Sequence, residues 1–177
     1  MKKPNKTERL PLAAQTAVQT AIKPTLQLSI QFVVPAQNLT RQRIRSWVKR
    51  ALNNAWQVYA LEAQGLRVNL RFVDQVEGQA INTQYRQKPK ATNVLTFAYG
   101  LQEDGMLIAD VLICVPVLTQ EAKEQNKTFD HHAAHLIVHG TLHALGFDHV
   151  DDDQAQEMES LEATILSEMK IADPYAA

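Results

Sequence analysis

His139 and His143 stand four residues apart within the segment His139-Gly140-Thr141-Leu142-His143-Ala144-Leu145-Gly146-Phe147-Asp148-His149, and a third imidazole closes it. On a helix, residues four apart project from the same face, so both rings can share one ion. Gly146 can take the left-handed backbone conformation that turns a chain back after a helix. His149 then follows the turn and can approach the same ion. Three neutral nitrogen ligands with one open position describe a catalytic zinc site binding one Zn2+ rather than a structural one.

All six histidines fall between His131 and His149, and they cannot all be ligands. His135, His139 and His143 form a row, but its outer members lie roughly 12 Å apart along a helix axis. One ion with bonds of about 2 Å cannot span that row. His131, His132 and His135 therefore read as packing or surface residues, and a closed zinc site lacks a cysteine partner for Cys114. Asp148 reads as a carboxylate of the turn or around the ligands, with a tentative catalytic role.

The histidine spacing is that of the metzincin peptidases with one difference. Gly140 stands where those enzymes carry the glutamate that takes a proton from the metal-bound water. Loss of that base removes a contribution of about 10²–10⁴-fold to peptide hydrolysis. Phosphodiester cleavage depends more on an activated hydroxide and on neutralising the phosphoryl oxygens. Gly140 thus turns the reading from peptides toward nucleic acid.

The remaining elements must hold these groups in place. The chain has 177 residues, 45% hydrophobic and 21% charged, which suits one globular domain with a sizeable core. The single cysteine fits a reducing compartment. Met1-Lys2-Lys3 is not followed by an apolar export segment, and no run is long enough to span a bilayer, so a cytoplasmic protein without membrane contact is expected. The net charge is −1, yet residues 1–147 hold 17 bases and 10 acids. Arg41, Arg43, Arg45, Lys49 and Arg50 form one basic cluster and Arg86, Lys88 and Lys90 another. Either cluster could hold a phosphate backbone, although the first equally suits a solvated helix face.

Alternation of apolar and polar residues predicts strands over 26–33, 68–73, 93–99 and 107–115, the last two separated by a loop from Gly100 to Gly105. Thr40 can cap a helix whose apolar face is Ile44, Trp47, Val48, Ala51, Ala55 and Val58, with Gly65 ending it. Further helices are expected over about 77–85, from Pro116 to about Asn126, from Thr128 or Asp130 to Gly146, and after Asp151-Asp152-Asp153. In that last helix, Met158, Leu161, Ile165 and Met169 repeat at core spacing. The expected fold is α+β, a single domain with about four strands in a mixed sheet, helices packed on it, and a metal-binding helix and turn related to zincins. Residues 25–177 form that domain, and residues 1–24 read as a weakly ordered extension.

The pattern His-Gly-x-Leu-His-x-x-Gly-x-Asp-His resembles the signature of the YbeY family of bacterial rRNA-maturation endoribonucleases. The segment Ile81-Asn82-Thr83-Gln84-Tyr85-Arg86 through Thr92-Asn93-Val94-Leu95-Thr96-Phe97 is similar to a second motif of that family, as are Asp110 to Cys114 and Asp173-Pro174-Tyr175 to two more. Thr96 departs from the usual Ser and Ala109 from the usual Gly. The resemblance implies His139, His143 and His149 as zinc ligands and Arg86 as a functional arginine near the metal. It implies a zinc-dependent, single-strand-specific endoribonuclease acting in maturation of the small-subunit (16S) rRNA 3′ end and in ribosome quality control. The implied partners are rRNA, the small ribosomal subunit and single-stranded RNA, with no nucleotide cofactor. A guanidinium at position 86 suits phosphate contact and transition-state charge. The proton acceptor stays open among a substrate phosphate oxygen, Asp148 and a second water. Two other readings remain: a zincin-type metalloprotease, and a non-enzymatic rRNA or ribosome assembly factor that binds through residues 41–50 around a structural zinc.

Overall fold

A computed structural model of the chain describes residues 23–36, 38–58, 63–148 and 151–176. The first 22 residues, most of the expected extension, lie outside the described residues, as does His149. The elements run β1 (Thr25–Phe32), α1 (Arg41–Val58), β2 (Gly65–Val73), α2 (Gln75–Arg86), β3 (Val94–Leu101), β4 (Met106–Cys114), α3 (Val115–Glu124), α4 (Phe129–Ala144) and α5 (Asp152–Glu168). The four strands form one sheet in the order β1-β2-β4-β3. β1, β2 and β4 run parallel, and β3 is antiparallel to β4. The architecture is the expected mixed-sheet α+β domain.

Alternation sorts the two faces of the sheet. Leu66, Val68, Leu70 and Phe72 of β2 and Ala109, Val111 and Ile113 of β4 are buried in the main core with α1, α4 and α5. The opposite face buries a smaller cluster, Val73, Leu95, Leu112 and Cys114, against Ile81 of α2, Ala91, Phe97 and Val117. Asn69 and Arg71 of β2 stay accessible on this side, where Asn69 donates to Asp110 at 2.8 Å.

Capping sets the helix starts. Asp74 accepts from Glu77 N at 2.8 Å, so α2 begins two residues earlier than the apolar pattern suggests. Thr128 accepts from His131 N and Asp151 from Gln154 N, starting α4 and α5. Asp152 and Asp153 follow in the first turn of α5, where the helix dipole favours negative charge.

Gly65 corrects one expectation. It opens β2 rather than ending α1, and a Cβ there would run into the carbonyl oxygen of Thr25 on β1. The loop expected from Gly100 also shortens: β3 continues to Leu101 through an irregularity between Ala98 and Gly100, where Tyr99 is the extra residue.

The basic face of α1 is largely occupied. Arg41 donates to the carbonyl of Ile30 and Arg45 to that of Leu28 at 3.4 Å, both on β1. Arg43 pairs with Asp130 at 2.8 Å and Arg50 with Glu168 at 3.5 Å. These contacts tie α1 to the sheet, α4 and α5.

Helix α4 is buried on most sides, with Ala133, Ala134, Leu136, Ile137, Val138 and Leu142 in the core. Its closest approach to the sheet is at Gly140, where a Cβ would sit 2.7 Å from Val111 Cγ1, 3.3 Å from Thr96 Oγ1 and 3.4 Å from Val94 Cγ2. Interiors packed this tightly resist added volume. Gly140→Ala should therefore destabilise the fold by about 1–3 kcal/mol through overpacking. Urea unfolding should show a lower midpoint at unchanged slope, and an unaltered midpoint would refute the close contact.

Candidate active site

The end of α4 is shaped by backbone hydrogen bonds. Gly146 N donates to His143 O at 3.0 Å and Phe147 N to Leu142 O at 3.1 Å, with Gly146 at φ 94°. This paired closure needs a left-handed residue after the helix, which glycine supplies without a Cβ penalty. It brings the Phe147 carbonyl back beside His143, whose Nδ1 donates to it at 2.9 Å. With the proton on Nδ1, the Nε2 of neutral His143 carries the lone pair.

His139 is set the same way by a carboxylate. Its Nδ1 donates to Glu162 Oε1 at 2.8 Å, so its Nε2 is also the acceptor nitrogen. The two Nε2 atoms face each other at 3.0 Å, and the rings are nearly perpendicular at 82°. Two facing lone pairs repel unless a proton or cation lies between them. A tetrahedral ion with bonds of about 2.0–2.1 Å holds neighbouring nitrogens roughly 3.3 Å apart, so the donor set fits a metal.

Glu162 was not legible as a site residue from the sequence alone, although its place between Leu161 and Ile165 on the apolar face of α5 was a signal. It is fully buried. Its Oε2 accepts from His135 Nε2 at 2.9 Å and from the Tyr175 hydroxyl, while Oε1 holds His139. Burial alone would raise its carboxyl, but the hydrogen bonds from His135, His139 and the Tyr175 hydroxyl hold it down at about 2. The Tyr175 phenol is raised, first by burial and then by its bond to Glu162. His135, His139 and Glu162 also offer ligand atoms within 4.8 Å of one another and could themselves hold a cation. In the structure these atoms already satisfy each other by hydrogen bonds, the arrangement of a carboxylate orienting histidines.

A cleft of about 470 Å³ opens beside the two imidazoles. Arg86, Asn93, Thr96, His139, His143 and Asp148 all line it. The structure thus brings Arg86, the last residue of α2, to the histidines from 53 positions away in the chain. Arg86 is exposed and makes no hydrogen bond or ion pair among the described residues, so its guanidinium can take a ligand. Thr96 keeps a hydroxyl on the cleft, 3.5 Å from the Gly140 carbonyl. Asn93 is fixed by Glu121, which accepts from its Nδ2 at 2.9 Å and bonds the buried His132 Nε2 at 2.8 Å. Burial holds the His132 imidazole below its usual range.

An α+β domain with paired imidazoles, a buried orienting carboxylate and an arginine around one cleft has the constellation of a hydrolytic metal centre. The model of the family described as Endoribonuclease YbeY matches residues 29–170. The chain is 49% identical over 152 residues to the Endoribonuclease YbeY of Bordetella pertussis, covering 86% of this chain and 97% of that protein. It is 50% identical over 155 residues to that of Bordetella petrii, covering 88% and 100%. A solution structure from Thermotoga maritima shares the fold, with a TM-score of 0.51 at 21% identity over 85% of this chain and all of that one. This chain belongs to the endoribonuclease YbeY family.

Replacing the buried carboxylate tests the network. Glu162→Gln retains the shape but places an amide donor among donors, which should cost about 2–4 kcal/mol of folding stability. Tyr175→Phe removes one donor and should cost less. Equal urea midpoints for wild type and Glu162→Gln would show that the carboxylate does not hold α4 to α5.

Proposed function

We propose that this protein is a zinc-dependent endoribonuclease that cuts single-stranded RNA, with His139, His143 and His149 as the ligands of one ion. Its substrate is the small-subunit (16S) rRNA precursor at the 3′ end, and it serves ribosome maturation and quality control in the cytoplasm with the small subunit as partner. The activity belongs to residues 25–177, with residues 1–24 an extension outside it. The observation that carries the reading is the convergence of Arg86, His139, His143 and Asp148 on one cleft, in a chain of the endoribonuclease YbeY family. No described helix is long and apolar enough to cross a membrane.

When bound, the ion supplies Lewis-acid polarisation and acidifies water toward neutral pH. The protein's own residues do the positioning. Glu162 and the Phe147 carbonyl fix the tautomers of His139 and His143, so both present Nε2 to the ion without rearrangement. Arg86 offers a planar guanidinium to two phosphoryl oxygens and meets the charge that develops there. Asp148 also lines the cleft, which supports it as a proton acceptor alongside a substrate phosphate oxygen or a second water. A peptidase reading loses support because position 140 has no room for a glutamate. Binding through residues 41–50 also loses support, since four of that helix's five cations already serve the fold.

Metal content and cleavage of a single-stranded rRNA 3′-end precursor should be measured on the same samples. His143→Ala should lose both the metal and cleavage, whereas His135→Ala should retain the metal because its ring serves Glu162. The reverse pattern would move the ion to His135, His139 and Glu162. Arg86→Glu should keep the metal and lose about 10²–10³-fold in cleavage rate. Unchanged cleavage by Arg86→Glu or His143→Ala would sink the catalytic reading.

A further inference from the structure

Across strand β3 from the cleft, two tyrosines present large surfaces to solvent. Tyr85, in the last turn of α2, is 61% exposed, and Tyr99, at the irregularity of β3, is 58% exposed. Neither ring is loose. Tyr85 packs at a steep angle on Phe97, with centroids 4.9 Å apart and planes at 62°. The Tyr99 hydroxyl donates to Asp110 Oδ2 at 2.8 Å, and the other oxygen of that carboxylate accepts from Asn69. Each ring is therefore anchored while much of it faces solvent.

Their surroundings select the occupant. Arg86 follows Tyr85 and lines the cleft together with Thr96 and Ala98 of β3. Lys88 and Lys90 come next, both exposed, on a turn held by the buried Asn82, whose Nδ2 donates to their carbonyls at 3.3 and 2.6 Å. Alternate residues of a strand point to opposite faces, so Thr96 borders the cleft while Phe97 supports Tyr85 on the other side. Tyr85 and Tyr99 are thus the chain neighbours of Arg86 and Ala98 of the cleft lining, and Lys88 and Lys90 follow Arg86 along the same turn. Anchored aromatic faces beside a phosphate-binding row suit unpaired bases, because every base has a π-face to stack.

We propose that Tyr85 and Tyr99 form a base-stacking subsite for the single-stranded RNA entering the cleft, with Arg86, Lys88 and Lys90 holding the phosphates between subsite and reacting centre. This rests on the endoribonuclease reading above. The subsite binds nucleotides flanking the cut and tolerates any base.

The test uses the full chain, a fluorescent single-stranded oligoribonucleotide and the same oligomer with abasic residues, with chelator present to prevent cleavage. Tyr85→Ala and Tyr99→Ala should each weaken binding of the base-bearing oligomer on the order of tenfold. Tyr85→Trp should restore it, and the abasic oligomer should bind wild type and variants alike. Urea unfolding of each variant separates lost stacking from lost folding, and Tyr85→Leu, which keeps apolar bulk without a π-face and should weaken binding likewise, covers the case in which Tyr85→Ala does not fold. Wild-type affinity in the alanine variants, or equal losses for both oligomers, would overturn the subsite; so would a protein partner captured by these tyrosines while RNA binding stays unchanged. If the wild type neither binds nor cleaves single-stranded RNA, the endoribonuclease reading fails first and the subsite with it.

Discussion

The contact between α4 and the sheet at Gly140 is the constraint on which the site depends. Without a side chain at that position, the helix backbone sinks against Val111, Thr96 and Val94. His139 and His143 thereby come level with β3 and share a cleft with Arg86 from the far side of the chain. The residue that removes a peptidase base and the residue that permits the close packing are the same one. Chemistry and volume both exclude glutamate there.

A helix buried on most of its surface carries four imidazoles in contact with other groups, and polar groups in such a place need partners. Two carboxylates supply them to three of the rings, and the Phe147 carbonyl to the fourth, His143. Glu162 of α5 serves His135 and His139, while Glu121 of α3 serves His132 and Asn93. Each carboxylate links α4 to a neighbouring element and fixes ring orientation at the same time. The C-terminal Tyr175 completes the first of them, which explains why a residue far beyond the last helix turn belongs to the site's support.

The sequence was most informative where local rules operate. Strand periods, the cap at Thr128, the helix start at the acids 151–153, the turn at Gly146 and the ligand-like spacing of His139 and His143 all follow from neighbours within a few positions. Gly65 misled because a glycine after a helix commonly ends it, while here the demand comes from Thr25 on the adjoining strand. Glu162 differs from Glu157 and Glu159 by its place on the apolar face of α5, but its partners are fixed only by the packing of α5 on α4, distant in the chain. The arginines of α1 suit a phosphate-binding row and a solvated face equally in the sequence for the same reason: their acceptors on β1, α4 and α5 are distant in the chain.

Those arginines have a further effect on β1. An outer strand normally offers a row of unpaired carbonyls to any passing chain. Here Arg41 and Arg45 occupy the carbonyls of Ile30 and Leu28, and at the other border the extra residue at Tyr99 breaks the regular spacing of β3. Neither border of the described four-stranded sheet is an easy template for a foreign strand, so the protein is guarded against edge-to-edge aggregation while its cleft stays open.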